Sequence, residues 1–260
     1  MDINLTSEPA TNIEADAVVI GWYQKEPLTK TAAMLDDATG GVLTRLVETE
    51  EITGKHGDLT TLLAPAGVKA GQILIVGLGE RSDFDRGAAC RAVATAAKQL
   101  AEKKRQTVAF YVEEDWAPEI VESGVCGALV GCQGQDLYRT EKKLSPFPQV
   151  LWSGKQQASV DSGRILAESI NLTRRLVNQP ASEIYPESFA AEAEQVANHS
   201  SLTIEVWDEP RLEAERCGSL LAVGRGSTRR PRLVILQYQG AGNGQAPLAL
   251  VGKGVTFDSG

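Results

Sequence analysis

Along the first part of the chain, short apolar runs closed by glycine alternate with stretches whose apolar positions recur every three or four residues. Asp16-Ala17-Val18-Val19-Ile20-Gly21-Trp22 and Gln72-Ile73-Leu74-Ile75-Val76-Gly77 are apolar at consecutive positions, the pattern of strands buried on both faces. Gln106–Val112 and Pro148–Trp152 predict two more strands. Between them, a helix capped by Ser82 or Asp83 is expected to run to about Lys104, with Ala88, Val93, Ala97 and Leu100 on one face. A second helix, rich in small apolar residues, is expected from Ala117 to Gln133. Strands alternating with helices of this length predict βαβ units and a mainly parallel or mixed sheet, an α/β fold.

A long helix is then expected from Val160 to Asn178, with Ile165, Leu166, Ile170, Leu172 and Val177 at its apolar positions. It should end near Gln179-Pro180, because a proline disfavours the helical conformation of the residue before it. The small, polar stretch Lys155–Ser159 ahead of it sets the expected boundary between a first domain, 1–158, and a second part, 159–260. In that second part the pattern predicts helices over Pro186–Ala197 and Pro210–Cys217, and strands over Leu202–Trp207, Arg232–Tyr238 and Pro247–Val251. The last strand opens into Gly252-Lys253-Gly254-Val255-Thr256-Phe257-Asp258-Ser259-Gly260. In open α/β sheets the crevice beyond the carboxyl ends of strands is where chemistry is usually placed. A sequence that halts on such a loop leads to the expectation of a truncated domain.

Composition narrows the partners more than the fold. Apolar residues make up 42% and charged residues 23% of the 260, an ordinary globular mix with enough length for two modest domains. The net charge is -8, and the densest basic pieces, Lys103-Lys104-Arg105 and Arg229-Arg230, are short. Without a basic stripe, nucleic acid is not expected as a partner. Cys90, Cys126, Cys132 and Cys217 form no CxxC pair, which fits a reduced intracellular chain with small apolar thiols. No secretory leader and no run of 18 apolar residues is seen, so the expected location is the cytoplasm, with no membrane partner.

Several chemistries lack their residues. Gly77-Leu78-Gly79 follows a strand, but Ser82 stands where a dinucleotide fingerprint needs its third glycine. Gly224-Arg225-Gly226-Ser227 reads as a turn, and Gly252-Lys253-Gly254 lacks the P-loop spacing. His56 and His199 are the only histidines, and neither has a companion at metal-ligand or triad spacing. Carboxylates and lysine must therefore carry any metal or acid–base work. Lys253 and Asp258 are the candidates, because glycines flank the lysine, Ser259-Gly260 follows the aspartate, and both sit beyond an expected strand.

The contiguous stretch Val251–Gly260 resembles the signature loop of the leucine (cytosol) aminopeptidases. Arg175-Leu176-Val177-Asn178-Gln179-Pro180-Ala181 and Leu221–Ser227, followed by Pro231-Arg232-Leu233, resemble two further segments of that family in the same order. The resemblance is strong from about Asn171 to Gly260 and architectural before it. It implies a macro-like N-terminal α/β domain, a linking helix and the first part of an α/β metallopeptidase domain. It also implies two divalent metal ions, Mn2+ or Zn2+, with Lys253 binding one through its amino group and Asp258 bridging both. Peptide substrates with a leucine-type preference and a homo-hexamer of the full-length protein follow from the same likeness. The family's second catalytic lysine and its N-T-D-A-E-G-R-like motif do not occur here, so the isolated chain is expected to be inactive. The alternative is a non-catalytic macro-like module that holds a nucleotide or ADP-ribose. Accessory DNA binding, found in some family members, is opposed by the acidic balance.

Overall fold

The computed structural model describes residues 1–112, 115–240 and 246–257. The chain divides into two units, Met1–Arg175 and Leu176–Gly260.

The first unit is built on β1 (Asp2–Thr6), β2 (Ala17–Tyr23), β3 (Leu59–Leu63), β4 (Gln72–Gly79), β5 (Thr107–Tyr111) and β6 (Gln149–Ser153). They form one sheet in the order β1-β6-β5-β2-β4-β3, parallel throughout except where β3 pairs antiparallel with β4. Alternate side chains explain why the central strands are apolar at nearly every position. Val19, Leu74, Val76, Val108, Phe110, Val150 and Trp152 pack against α3 (Arg86–Ala101) and α4 (Pro118–Gly131) through Ala89, Val93, Ala97, Val121, Val125 and Leu129. Val18, Ile20, Ile73, Ile75, Ala109 and Tyr111 face the other way, onto Ala32 and Leu35 of α1 (Lys30–Ala38) and Leu43 of α2 (Val42–Glu48). Each fully buried branched side chain contributes about 1.5–3 kcal/mol. The result is the expected α/β architecture, helices on both faces of a mixed sheet.

Three local differences have clear causes. The α3 helix starts after Asp85 rather than at Ser82 or Asp83, which lie in a short 3-10 turn, Arg81–Asp83. Asp85 is still extended, so its carboxylate can accept the Ala88 N–H at 2.7 Å and cap the helix. The expected helix over Pro210–Cys217 is instead α7 (Glu209–Ala214), which ends before Arg216 takes a left-handed φ of 59°. A separate α8 (Gly218–Gly224) follows. The long helix appears as α5 (Gln157–Asn178), but it buries Val160, Gly163 and Ala167 within the first unit. The division by contacts accordingly falls in its last turn, not at the 158/159 position drawn from composition.

In the second unit, α6 (Pro186–Asn198), α7 and α8 accompany an antiparallel pair, β7 (Leu202–Trp207) and β8 (Leu233–Tyr238). The expected strand over Pro247–Val251 does not form: Leu248, Leu250 and Val251 are 88%, 90% and 96% exposed and make no ladder. A strand needs a hydrogen-bonding neighbour, and no described strand pairs with this stretch, where Pro247 also lacks an N–H. Among the described residues, no helix is long and apolar enough to cross a membrane.

Candidate functional site

Lys253 lies in the irregular stretch that follows Val251, with its side chain exposed. A Cβ added to Gly252 or Gly254 would meet nothing within 4 Å, so neither glycine is demanded by packing in the described surroundings. Asp258 falls outside the described residues, so the two candidate ligands are not brought together within them. No group of three or more His, Cys, Asp or Glu that could hold a metal ion occurs among the described residues. One lysine amine on an open segment does not make a cage for two dications. The described donors alone do not fit a dinuclear centre.

From Leu176 on, the other two segments that resembled the aminopeptidases have a definite setting within the second unit. Arg175–Ala181 ends α5 and turns, with the Pro180 carbonyl accepting the N–H groups of Glu183 and Ile184 at 2.9 Å. Leu221–Gly224 forms the second half of α8, and Gly224–Ser227 is the expected turn, closed by the Ser227 N–H donating to the Gly224 carbonyl at 3.0 Å. Gly224 lies against the ring of Pro231, where a Cβ would come within 3.0 Å. Downstream, the Arg229 guanidinium sits 3.8 Å from the Tyr185 ring centroid, and Arg232 pairs with Glu187 at 3.5 Å. Both arginines therefore converge on the start of α6, tying the segment after α8 to the one after α5.

In the first unit, the glycines that invited a phosphate reading are used by packing. A Cβ on Gly77 would overlap the Lys55 carbonyl oxygen, and Gly79 has a φ of 84°. Gly77 N–H donates to Asp58 O, and Gly79 N–H donates to Gly54 O, both at 2.9 Å. His56 Nε2 lies 3.0 Å from the Ala88 carbonyl oxygen, and His199 Nδ1 lies 2.7 Å from that of Gln195, so both rings engage backbone.

The carboxyl ends of β2 and β5 mark the point where successive crossovers leave in opposite directions, the usual place for a ligand. A cluster of side chains gathers on Tyr23, the last residue of β2. Trp116 Nε1 donates to the Tyr23 hydroxyl at 3.0 Å, and Phe84 stands edge-on to Tyr23 with centroids 5.1 Å apart. Arg81 lies 4.1 Å over the Tyr23 ring while its Nε donates to both oxygens of Glu26, at 2.8 and 2.9 Å. Burial pushes the Tyr23 phenol up, opposed by the Trp116 hydrogen bond, whereas Arg81 holds the Glu26 carboxyl below its ordinary range.

An open depression of about 800 Å³ elsewhere in this unit is lined by His56, Asp58, Arg91, Lys98, Gln133 and Arg174 among others. Sequence reasoning missed it, because Arg91 and Lys98 of α3 share it with Arg174 of α5, far along the chain. Arg174 is engaged there with the Val130 and Gln133 carbonyls, at 3.1 and 2.9 Å, near the end of α4 where carbonyl oxygens lack helical partners.

Comparison with known proteins agrees across both units. The model of the cytosol aminopeptidase family N-terminal domain matches residues 19–142, and that of the catalytic domain matches residues 171–260. A "Probable cytosol aminopeptidase" of Rhodopirellula baltica is 46% identical over 210 residues, covering 81% of this chain and 41% of its own length. A solved structure of a tomato leucine aminopeptidase mutant superposes with a TM-score of 0.75 at 21% identity, covering 91% of this chain and 50% of that one. The bottromycin maturation enzyme BotP in complex with Mn gives 0.70 at 24% identity, covering 86% and 45%. At these identities the two superpositions show the fold. The chain spans about half the length of the curated relatives it matches.

Proposed function

The chain belongs to the cytosol aminopeptidase family, and from that premise we propose that the full-length protein releases N-terminal residues, leucine-type ones preferred, from peptides with the help of two divalent cations. The observation that carries this reading is the catalytic-domain match over residues 171–260, which includes the Lys253 loop. Lys253 and Asp258 are the proposed ligands from this chain. The ions are Mn2+ or Zn2+, and the Mn-bound BotP makes manganese the first to test.

When bound, such an ion pair polarises a carbonyl and makes a water nucleophilic at neutral pH. The role of this chain is narrower. The Lys253 amine can ligate only through the lone pair of its neutral form, which nearby dications favour. The open space beside Gly252 and Gly254 supports the reading, since it lets a peptide backbone approach the lysine closely. One amine and one carboxylate do not hold two dications, so the 260-residue chain by itself is inactive in this proposal. Further ligands would come from sequence that the longer relatives carry. The full-length protein is proposed to act in the cytoplasm as a homo-hexamer without nucleic acid.

Leucine p-nitroanilide hydrolysis with added Mn2+ tests the reading on both forms. The full-length protein is expected to turn over and to stop when the metal is chelated. Lys253→Ala should lower its kcat/KM by about 100-fold or more, since losing a residue that only supports a metal ligand already costs about 10–100-fold. Undiminished turnover by that variant, or clear turnover by the 260-residue chain, would overturn the assignment of the site.

A further inference from the structure

The depression of about 800 Å³ in the first unit concentrates positive charge on a chain whose net charge is -8. Arg91, Lys98 and Arg174 line it with a single carboxylate, Asp58. That carboxylate is already engaged, since the Thr53 hydroxyl donates to its Oδ2 at 2.6 Å. Among the described residues neither Arg91 nor Lys98 takes part in an ion pair, and both are exposed. The Arg91 guanidinium lies back over Gly87, its Cζ 3.7 Å from where a Cβ of that glycine would stand, on the side of Asp85. Asp85 is committed to capping α3 through the Ala88 N–H. A concave surface lined by one sign of charge draws the opposite sign toward it.

The walls are held in place by contacts of their own. Helices α3 and α4 meet backbone to backbone at Ala94 and Gly131, where a Cβ on the glycine would overlap the Ala94 carbonyl oxygen. Arg174 clamps the end of α4 through the Val130 and Gln133 carbonyls and also donates to Asn171 Oδ1 at 2.9 Å. His56 Nε2 donates to the Ala88 carbonyl, which can only accept, and so ties another part of the lining to α3. Walls fixed in advance lose little freedom when a ligand arrives. Arg91 and Lys98 are seven residues apart on α3, so they share a face with their Cα atoms about 10 Å apart. An extended peptide covers that distance in about three residues. Between them Ala94 leaves room, and the amides of Gln133 and Gln135 can donate to and accept from peptide groups. A nucleotide fits less well. No Phe, Tyr or Trp lines the depression to stack on a base, the Gly57 N–H is taken by the Gly77 carbonyl, and α4 presents its carbonyl end, which repels dense phosphate charge.

We propose that this depression is a binding site for short acidic peptides whose two carboxylates stand three residues apart, one held by Arg91 and the other by Lys98. The peptide lies extended along α3, over Ala94 and beside the end of α4 that Arg174 fixes. The volume is that of an ordinary small-ligand pocket, about 300–1,000 Å³, and exceeds what a lone inorganic anion needs. The inference concerns binding alone and does not depend on the proposed peptidase activity.

The experiment titrates the 260-residue chain at low salt, by calorimetry, with acetyl-Glu-Ala-Ala-Glu-amide, with its Gln-Ala-Ala-Gln twin and with ATP. The expected result is saturable one-to-one binding of the acidic peptide with a Kd below about 1 mM, and binding of the neutral twin at least about 10-fold weaker. Arg91→Ala and Lys98→Ala should each weaken the acidic peptide by about 5-fold, as loss of one exposed charge pair does at most, and the double variant by the product of the two. Both residues are exposed, so the variants should melt as the parent does, and the wild-type peptide comparison stands without them. Lys155→Ala, an exposed lysine outside the depression, should change nothing. No saturable binding, equal binding of the neutral twin, tighter binding of ATP, or the same loss in the Lys155 variant overturns the proposal.

Discussion

Replacing Gly127 with alanine sets two opposite effects against each other. Intrinsic helix propensity favours the change by about 1 kcal/mol. The new methyl, however, lands on the Cys90 backbone, which cannot rotate away, and overpacking of this kind costs about 1–3 kcal/mol. Net destabilisation is expected, seen as a lower urea midpoint; Gly218→Ala, with nothing within 4 Å of its Cβ, should be neutral or slightly stabilising. Asp36 gives a pH-dependent case. It is buried in α1 and accepts the Thr44 N–H at 3.1 Å together with the Thr44 hydroxyl, fastening α1 to α2. Burial pushes its carboxyl up, but the Thr44 donors, the Leu43 amide and Arg45 outweigh that and leave it below its usual value. A folded-state value below the unfolded one adds stability that is present above the unfolded value, about pH 4, and is lost as pH falls through the folded one. Asp36→Asn should therefore cost about 1 kcal/mol near neutrality and progressively less in acid, checked by thermal melts from pH 7 to pH 3. Neither partnership was legible in the sequence. Cys90 read as a small apolar thiol and Asp36 as one polar residue among many, because each depends on which helices become neighbours.

The elements themselves were legible where burial is two-sided. Along β2, β4 and β5 nearly every position carries an apolar residue, and β6 has the apolar run Val150-Leu151-Trp152, so the strands stand out from their surroundings. The edge strands β1 and β3 have one neighbour each, tolerate polar residues such as Asn4 and Thr61, and went unseen. The short α1 and α2 were also missed; they owe their starts to local chemistry, a Thr29 cap and a left-handed Gly41. The opposite failure occurred at Pro247–Val251, where an apolar run was taken for a strand although no described strand pairs with it. Amide exchange should separate these cases. The β2 amides, held between β4 and β5, are expected to exchange slowest, and those of Leu248–Val251 at close to the rate of an unfolded chain. Truncating Trp152, fully buried on β6, should cost about 3–5 kcal/mol in a denaturant titration.

For the molecule as a whole, the family was readable from one contiguous loop and two shorter segments, because a glycine-flanked lysine in that setting is uncommon. The rest of the chemistry was not, since metal cages draw ligands from distant parts of a chain and only Lys253 belongs to the described residues. The first unit encloses its own two-faced core, so residues 1–178 produced alone should unfold in one cooperative step by circular dichroism. The uncovered Leu248, Leu250 and Val251 have a colloidal consequence. At low ionic strength a charge of -8 keeps copies of the chain apart. At about 0.1 M salt the screening length shrinks to about 10 Å. Greasy, unpaired backbone on one copy can then meet the same segment of the next. Turbidity should climb with ammonium sulfate, and serine at positions 248 and 250 should delay the onset.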